Sequence, residues 1–228
     1  MVSIRENLDS VRTRITEAAM AAGRDPEAIT LIAVSKTKPA AAVLAALEAG
    51  QVHFGENYVQ EAVAKITEVA AGSPRAAPIW HFIGALQTNK TRDVATHFHW
   101  VHTVSREKVA RRLNDQRPDG PALNVCLQVN VDGDPNKAGV PVTAAGELLT
   151  RLEDLERLAP RGLMTILDPR TPPLEGYNRL RDCFEALSGR APAGWDTLSM
   201  GMSGDYAEAI RAGATMVRIG TAIFGARG

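Results

Sequence analysis

The chain has 228 residues, close to the length of one α/β barrel, so a single core can accommodate all of it. Lys plus Arg and Asp plus Glu both number 26, and this balance leaves no global field to draw in nucleic acid or an anionic membrane. An anionic ligand must therefore be held by a local site. Cys126 and Cys183 lie far apart without metal-ligand spacing, and the start "MVSIRENLDSVRTRI" carries charges where a leader needs an apolar stretch. No run approaches the roughly 20 apolar residues of a membrane helix. These features read as a cytoplasmic, reduced protein with neither a membrane segment nor a nucleic-acid partner.

Apolar residues at Ile4, Leu8, Val11, Ile15, Ala18, Ala19 and Ala22 recur every three or four positions, which predicts an amphipathic helix stopped by Gly23. Strand-like and helix-like runs then alternate. Expected strands cover 29–35, 52–55, 79–84, 100–104, 122–131, 161–167, 195–201 and 215–220. Expected helices follow at 39–50, 57–72, 86–97, 105–116, 143–158, 173–189 and 203–213. The strand runs are apolar enough to be buried on both faces, as parallel sheets require. The pattern predicts an α/β fold: a single TIM-type (β/α)8 barrel with an extra N-terminal helix, spanning 1–228 as one domain. A doubly wound open sheet fits less well, because no GxGxxG follows the first strand.

In such a barrel, reactive groups gather at the carboxyl ends of the strands. Lys36 and Lys38 follow the first strand, Asn57 and Tyr58 the second, Lys90 the third and Lys137 the fifth. "MGMSGDYAEAI" brings Gly201, Ser203 and Gly204 ahead of a helix, and "VRIGTAIFG" sets Gly220 and Thr221 after the last strand. Small residues with exposed N–H groups at the last two strands suit a phosphate. The plainer alternative is that Ser203 caps its helix and Gly220 turns the chain. Arg218 shares a strand face with Met216 and needs either an internal carboxylate or a ligand. Lys36 is either a solvated surface charge or a desolvated amine able to attack a carbonyl. A carbonyl ligand with a phosphate handle describes pyridoxal 5′-phosphate (PLP). His97 and His99 are separated from His102 by strand alternation, so no shared metal is expected. The tryptophans and the basic run "REKVARRLNDQR" read as packing and as a solvated helix face.

The segments "LIAVSKTKP", "HFGENYVQEAVAKI", "WHFIGALQTNK", "LQVNVDGDPNKAGV", "RGLMTI" and "LSMGMSGDYAEAIRAGATMVRIGTAIFGAR" resemble the pyridoxal phosphate homeostasis protein family. The likeness runs in order from about residue 4 to Arg227. It implies an alanine racemase-like barrel that binds PLP as an imine on Lys36. Asn57, Ser203, Arg218, Gly220 and Thr221 match cofactor-contacting positions, and Met164 and Met200 match positions near the ring. Gly204 departs from the commoner pattern after the serine but leaves Ser203 and Asp205 in place.

The implied role is intracellular buffering, carriage or release of PLP without catalysis, with apo PLP-dependent enzymes as recipients and a monomeric state. Racemases of this fold carry a second, β-rich domain, and the chain is expected to end before one. Arg218 beside the pyridine nitrogen would also disfavour its protonation and so weaken the ring as an electron sink. The alternative is a PLP-dependent racemase or related enzyme, with Lys36 as base and Tyr58 or Lys90 opposite.

Overall fold

The computed structural model describes residues 3–72 and 77–226. Strands β1 (Thr30–Val34), β2 (His53–Glu56), β3 (Ile79–Phe82), β4 (Trp100–Val104), β5 (Leu123–Asn130), β7 (Leu158–Met164), β8 (Thr197–Ser199) and β9 (Met216–Ile219) pair in parallel. The order follows the chain, β9 pairs with β1 and β4 with β5, so the eight strands close into a barrel. The two-residue β6 (Val140–Pro141) pairs with the far end of β5 outside this ring.

Helices α2 (Ala40–Glu48), α3 (Val59–Gly72), α4 (Thr91–His97), α5 (Glu107–Gln116), α6 (Ala145–Thr150), α7 (Pro173–Ser188), α8 (Tyr206–Arg211) and α9 (Thr221–Phe224) surround the sheet. The leading helix α1 (Ile4–Ala21) begins at a capping box in which Ser3 and Glu6 satisfy each other's backbone N–H groups. It buries Leu8, Val11, Ile15 and Ala19 and packs against α2, α8 and α9. Arg24, just beyond it, donates to the carbonyls of Ile210 and Ala214, both at 2.7 Å.

Strand alternation feeds two cores. Ala33, Phe54, Phe82, Val101, Val125, Leu127, Leu163 and Val217 face the helices in the main cluster. Their neighbours Ile32, Trp100, Cys126, Met164 and Met216 form a second apolar cluster inside the barrel. Each large apolar side chain so buried contributes about 1.5–3 kcal/mol.

Three expected helices differ most in extent. The one expected over 86–97 begins as α-helix only at Thr91, after a single 3-10 turn over Thr88–Lys90. The one expected over 143–158 ends at Thr150, and the chain reaches β7 through consecutive turns. Leu152 and Leu155 are buried from this turn segment and Leu158 from the first position of β7, so their spacing of three, read as helical, serves core packing instead. The one expected from 203 begins at Tyr206, with Asp205 in the cap position, so Ser203 stands in the turn ahead of it.

Candidate functional site

The loop after β1 is held from three sides. Ser35 is fully buried, its N–H bonds Gly55 O at 3.0 Å, and its hydroxyl donates to Glu56 Oε1 at 2.7 Å. Lys65, on the inner face of α3, donates to Ser35 O (2.7 Å), Glu56 Oε1 (2.7 Å) and Glu61 Oε1 (2.9 Å). Glu61 in turn accepts the Thr37 N–H at 2.6 Å. One i,i+4 pair of α3 therefore grips the backbone immediately before and immediately after Lys36. Thr37 has φ 63°, a left-handed conformation that a β-branched residue adopts only when its surroundings impose it.

Lys36 itself is half-buried and lines a small cavity with Val34, Thr37, Lys38, Gly220, Thr221 and Phe224. Three of the sequence-predicted residues, Lys36, Gly220 and Thr221, thus meet at one place on the carboxyl rim. Gly220 has little room for a side chain, since a Cβ there would lie 3.0 Å from Val34 O. Lys38, also in this lining, donates from Nζ to Ala226 O at 2.6 Å.

Arg218 points into the barrel from β9 and is buried. Its guanidinium donates to Ser199 Oγ and to Thr165 O, both at 2.9 Å. Both acceptors are neutral, so the internal carboxylate partner considered from the sequence is not what it bonds. Burial pulls its pKa down, and Tyr177, Asp205 and Cys126 oppose that from further away. A buried guanidinium bonded to neutral acceptors suits an anionic or electron-rich ligand. Met164, at the end of β7, and Met200, just past β8, are both fully buried. Ser203 is exposed in the β8–α8 turn, where Asp205 accepts the Met202 N–H at 2.6 Å.

Asn57 lies after β2, in an adjoining groove lined also by Tyr58, Glu61, Gly84, Gln87 and Lys90. Its Oδ1 is buried without a hydrogen-bond partner, as is Glu56 Oε2. A buried orphan acceptor in a cleft marks a place that a ligand or water completes. Gly84 permits the chain crossing there, because a Cβ on it would fall 2.1 Å from Asn57 O. Lys137 does not join this group: it pairs with Asp132 at 2.8 Å and donates to Ile166 O. Asp132 also accepts from Thr171 and from the Asp168 N–H. Burial raises its pKa, but these bonds outweigh burial and hold it below the usual range.

Sequence reasoning missed Lys65, Glu56 and Glu61. The signal for them was the Glu61–Lys65 spacing of four in "QEAVAKI", which reads equally well as a solvated pair. Burial pushes the Glu56 carboxyl up, while Lys65 and Ser35 pull it back. Among the described residues no group of three or more His, Cys, Asp or Glu side chains is arranged to hold a metal. No described helix is long and apolar enough to cross a membrane.

The sequence model of the family described as alanine racemase, N-terminal domain, matches residues 3–228. A Pseudomonas aeruginosa protein named pyridoxal phosphate homeostasis protein is 52% identical, covering 100% of this chain and 97% of its own length. An Escherichia coli K12 protein of the same name is 50% identical, covering 100% of this chain and 98% of its own length. Among solved structures, PipY of Synechococcus elongatus with PLP bound is 37% identical and superposes with a TM-score of 0.85. That likeness covers 98% of this chain and 100% of PipY.

Proposed function

The chain belongs to the alanine racemase N-terminal domain family, and from that premise we propose that it binds PLP at the carboxyl rim of the barrel and serves PLP homeostasis. The carrying observation is the meeting of Lys36, Gly220 and Thr221 around one cavity. PLP brings an aldehyde carbon that condenses with a primary amine, releasing water. Lys36 Nζ is the amine that holds it as an imine, and the clamp from Glu61 and Lys65 fixes the backbone from which that amine reaches. Backbone N–H groups and hydroxyls at Ser203, Gly220 and Thr221 take the phosphate. Arg218 donates toward the ring nitrogen, Asn57 Oδ1 and Met200 complete the surroundings, and the chain acts as one binding unit over 1–228.

The protein holds and releases this cofactor without turning over a substrate. Relatives at about half identity carry the name of homeostasis proteins. A cationic Arg218 facing the ring nitrogen disfavours its protonation and so weakens the ring as an electron sink for amino acid chemistry. Apo PLP-dependent enzymes are the recipients we propose, with the protein acting as a monomer in the cytoplasm.

The test is an absorbance titration with PLP of the wild type and Lys36→Ala. The imine band should form in the first and be absent in the second, and an unchanged spectrum would refute the assignment. Transfer to an apo-enzyme acceptor faster than by release into solution would support carriage. Exchange of the Cα hydrogen of any common amino acid for deuterium would overturn the non-catalytic reading.

A further inference from the structure

Four side chains that this reading leaves unused link Arg218 to the opposite wall of the barrel. Ser199 Oγ, which accepts from Arg218, lies 2.7 Å from His102 Nδ1. His102 Nε2 lies 2.9 Å from His81 Nδ1, and His81 Nε2 lies 2.9 Å from His53 Nδ1. The residues come from β8, β4, β3 and β2, so the chain crosses the interior from one side of the ring to the other. Ser199, His102 and His81 are fully buried, and only His53 reaches partial exposure.

A neutral imidazole has one donor and one acceptor, so in a chain of them the order of protons is set by one end. Arg218 can only donate, which makes Ser199 Oγ an acceptor at that link. The Ser199 hydroxyl proton then goes to His102 Nδ1, His102 Nε2–H goes to His81 Nδ1, and His81 Nε2–H goes to His53 Nδ1. The reverse order would have His102 donate to Ser199 and strand the Ser199 hydroxyl proton in a dry interior, at a cost of about 1–3 kcal/mol. The histidines are suited to stay neutral. Burial, then Arg218, depresses His102 to about 3, and burial, then its neighbouring histidines, depresses His81 well below its ordinary value. In the favoured order every Nδ1 lone pair points toward Ser199, and the Ser199 lone pair points at the guanidinium. The aligned dipoles stabilise the buried cation without a carboxylate.

We propose that Ser199, His102, His81 and His53 form a proton-ordered chain that holds the Arg218 guanidinium as a hydrogen-bond donor toward the ligand, with Ser199 and His102 as positioning residues. The inference rests on the PLP reading only for the identity of the group Arg218 faces. Its first test needs no ligand: long-range proton–nitrogen NMR of the histidine-labelled protein between pH 6 and 8. His102 and His81 should both be neutral Nε2–H tautomers. An Nδ1–H tautomer or an imidazolium at either position overturns the chain. The second test compares PLP binding by Ser199→Ala, Ser199→Thr and the wild type. Ser199→Ala should bind at least tenfold more weakly with a displaced absorption maximum, and Ser199→Thr, which keeps the hydroxyl, should recover most of both. Wild-type affinity and spectrum in Ser199→Ala would overturn the positioning role. If the wild type itself fails to bind PLP, the cofactor reading falls and the NMR tautomers alone decide the chain. They decide it likewise if Ser199→Ala does not fold.

Discussion

Replacing Lys65 by Met tests whether the loop bearing Lys36 is held electrostatically. Lys65 is buried, and its ammonium satisfies Glu56 at 2.7 Å and Glu61 at 2.9 Å as well as the Ser35 carbonyl. The Lys65→Met chain is about the right shape but leaves the fully buried Glu56 carboxylate with Ser35 as its remaining side-chain donor. Breaking a buried pair from one side costs about 3–5 kcal/mol, a large share of a typical stability of about 5–15 kcal/mol. Urea unfolding should show it as a midpoint lowered by about 1–2 M. The double variant Glu56→Gln/Lys65→Met removes the stranded charge and should regain at least about 2 kcal/mol, a coupling that a four-protein cycle isolates. PLP titration of Lys65→Met in low urea should also show weaker loading, because Ser35 and Thr37 lose their grip on either side of Lys36. A Lys65→Met protein as stable as the wild type, or an additive cycle, would refute the clamp.

Acid stability follows from the buried histidines. Their folded-state pKa values lie below the unfolded value of about 6.5, so as pH falls the unfolded chain takes up protons that the folded protein refuses. Between pH 7 and pH 5 this should remove about 2 kcal/mol for His102, with a further loss from His81, and His102→Gln should flatten the urea-midpoint profile over that window. Gly84→Ala forces a Cβ against the Asn57 backbone. It should cost about 1–3 kcal/mol in stability, measured by thermal unfolding, and weaken PLP binding measured by titration. Arg218→Met removes a buried charge whose bonded acceptors are neutral. The ligand-free protein should lose no more than about 1 kcal/mol in urea unfolding, while PLP binding falls at least tenfold; a protein destabilised strongly with affinity intact would assign Arg218 to the fold instead.

The barrel was legible because parallel strands buried on both faces leave apolar runs, and each following helix repeats at three or four. Lys36, Gly220 and Thr221 were legible as neighbours because topology sends the ends of the first and last strands to one rim. Extents were less legible where a spacing of three had two uses, as at Leu152, Leu155 and Leu158. The clamp was hidden because Glu61 and Lys65 look like a solvated helix pair until α3 is seen to bury its lysine against β2. The histidine chain was hidden for a related reason. His97 ends α4 and His99 precedes β4, so neither shares the strand of His102, whose partners lie on β3 and β2 at a sequence distance that no local pattern spans.

The central claim is that Lys36 is the residue that holds PLP. Borohydride reduction of the PLP-loaded protein, followed by peptide mapping by mass spectrometry, tests it most directly. A single stable adduct on the peptide carrying Lys36 is the predicted result. An adduct confined to other lysines, or none despite tight binding, would contradict the account.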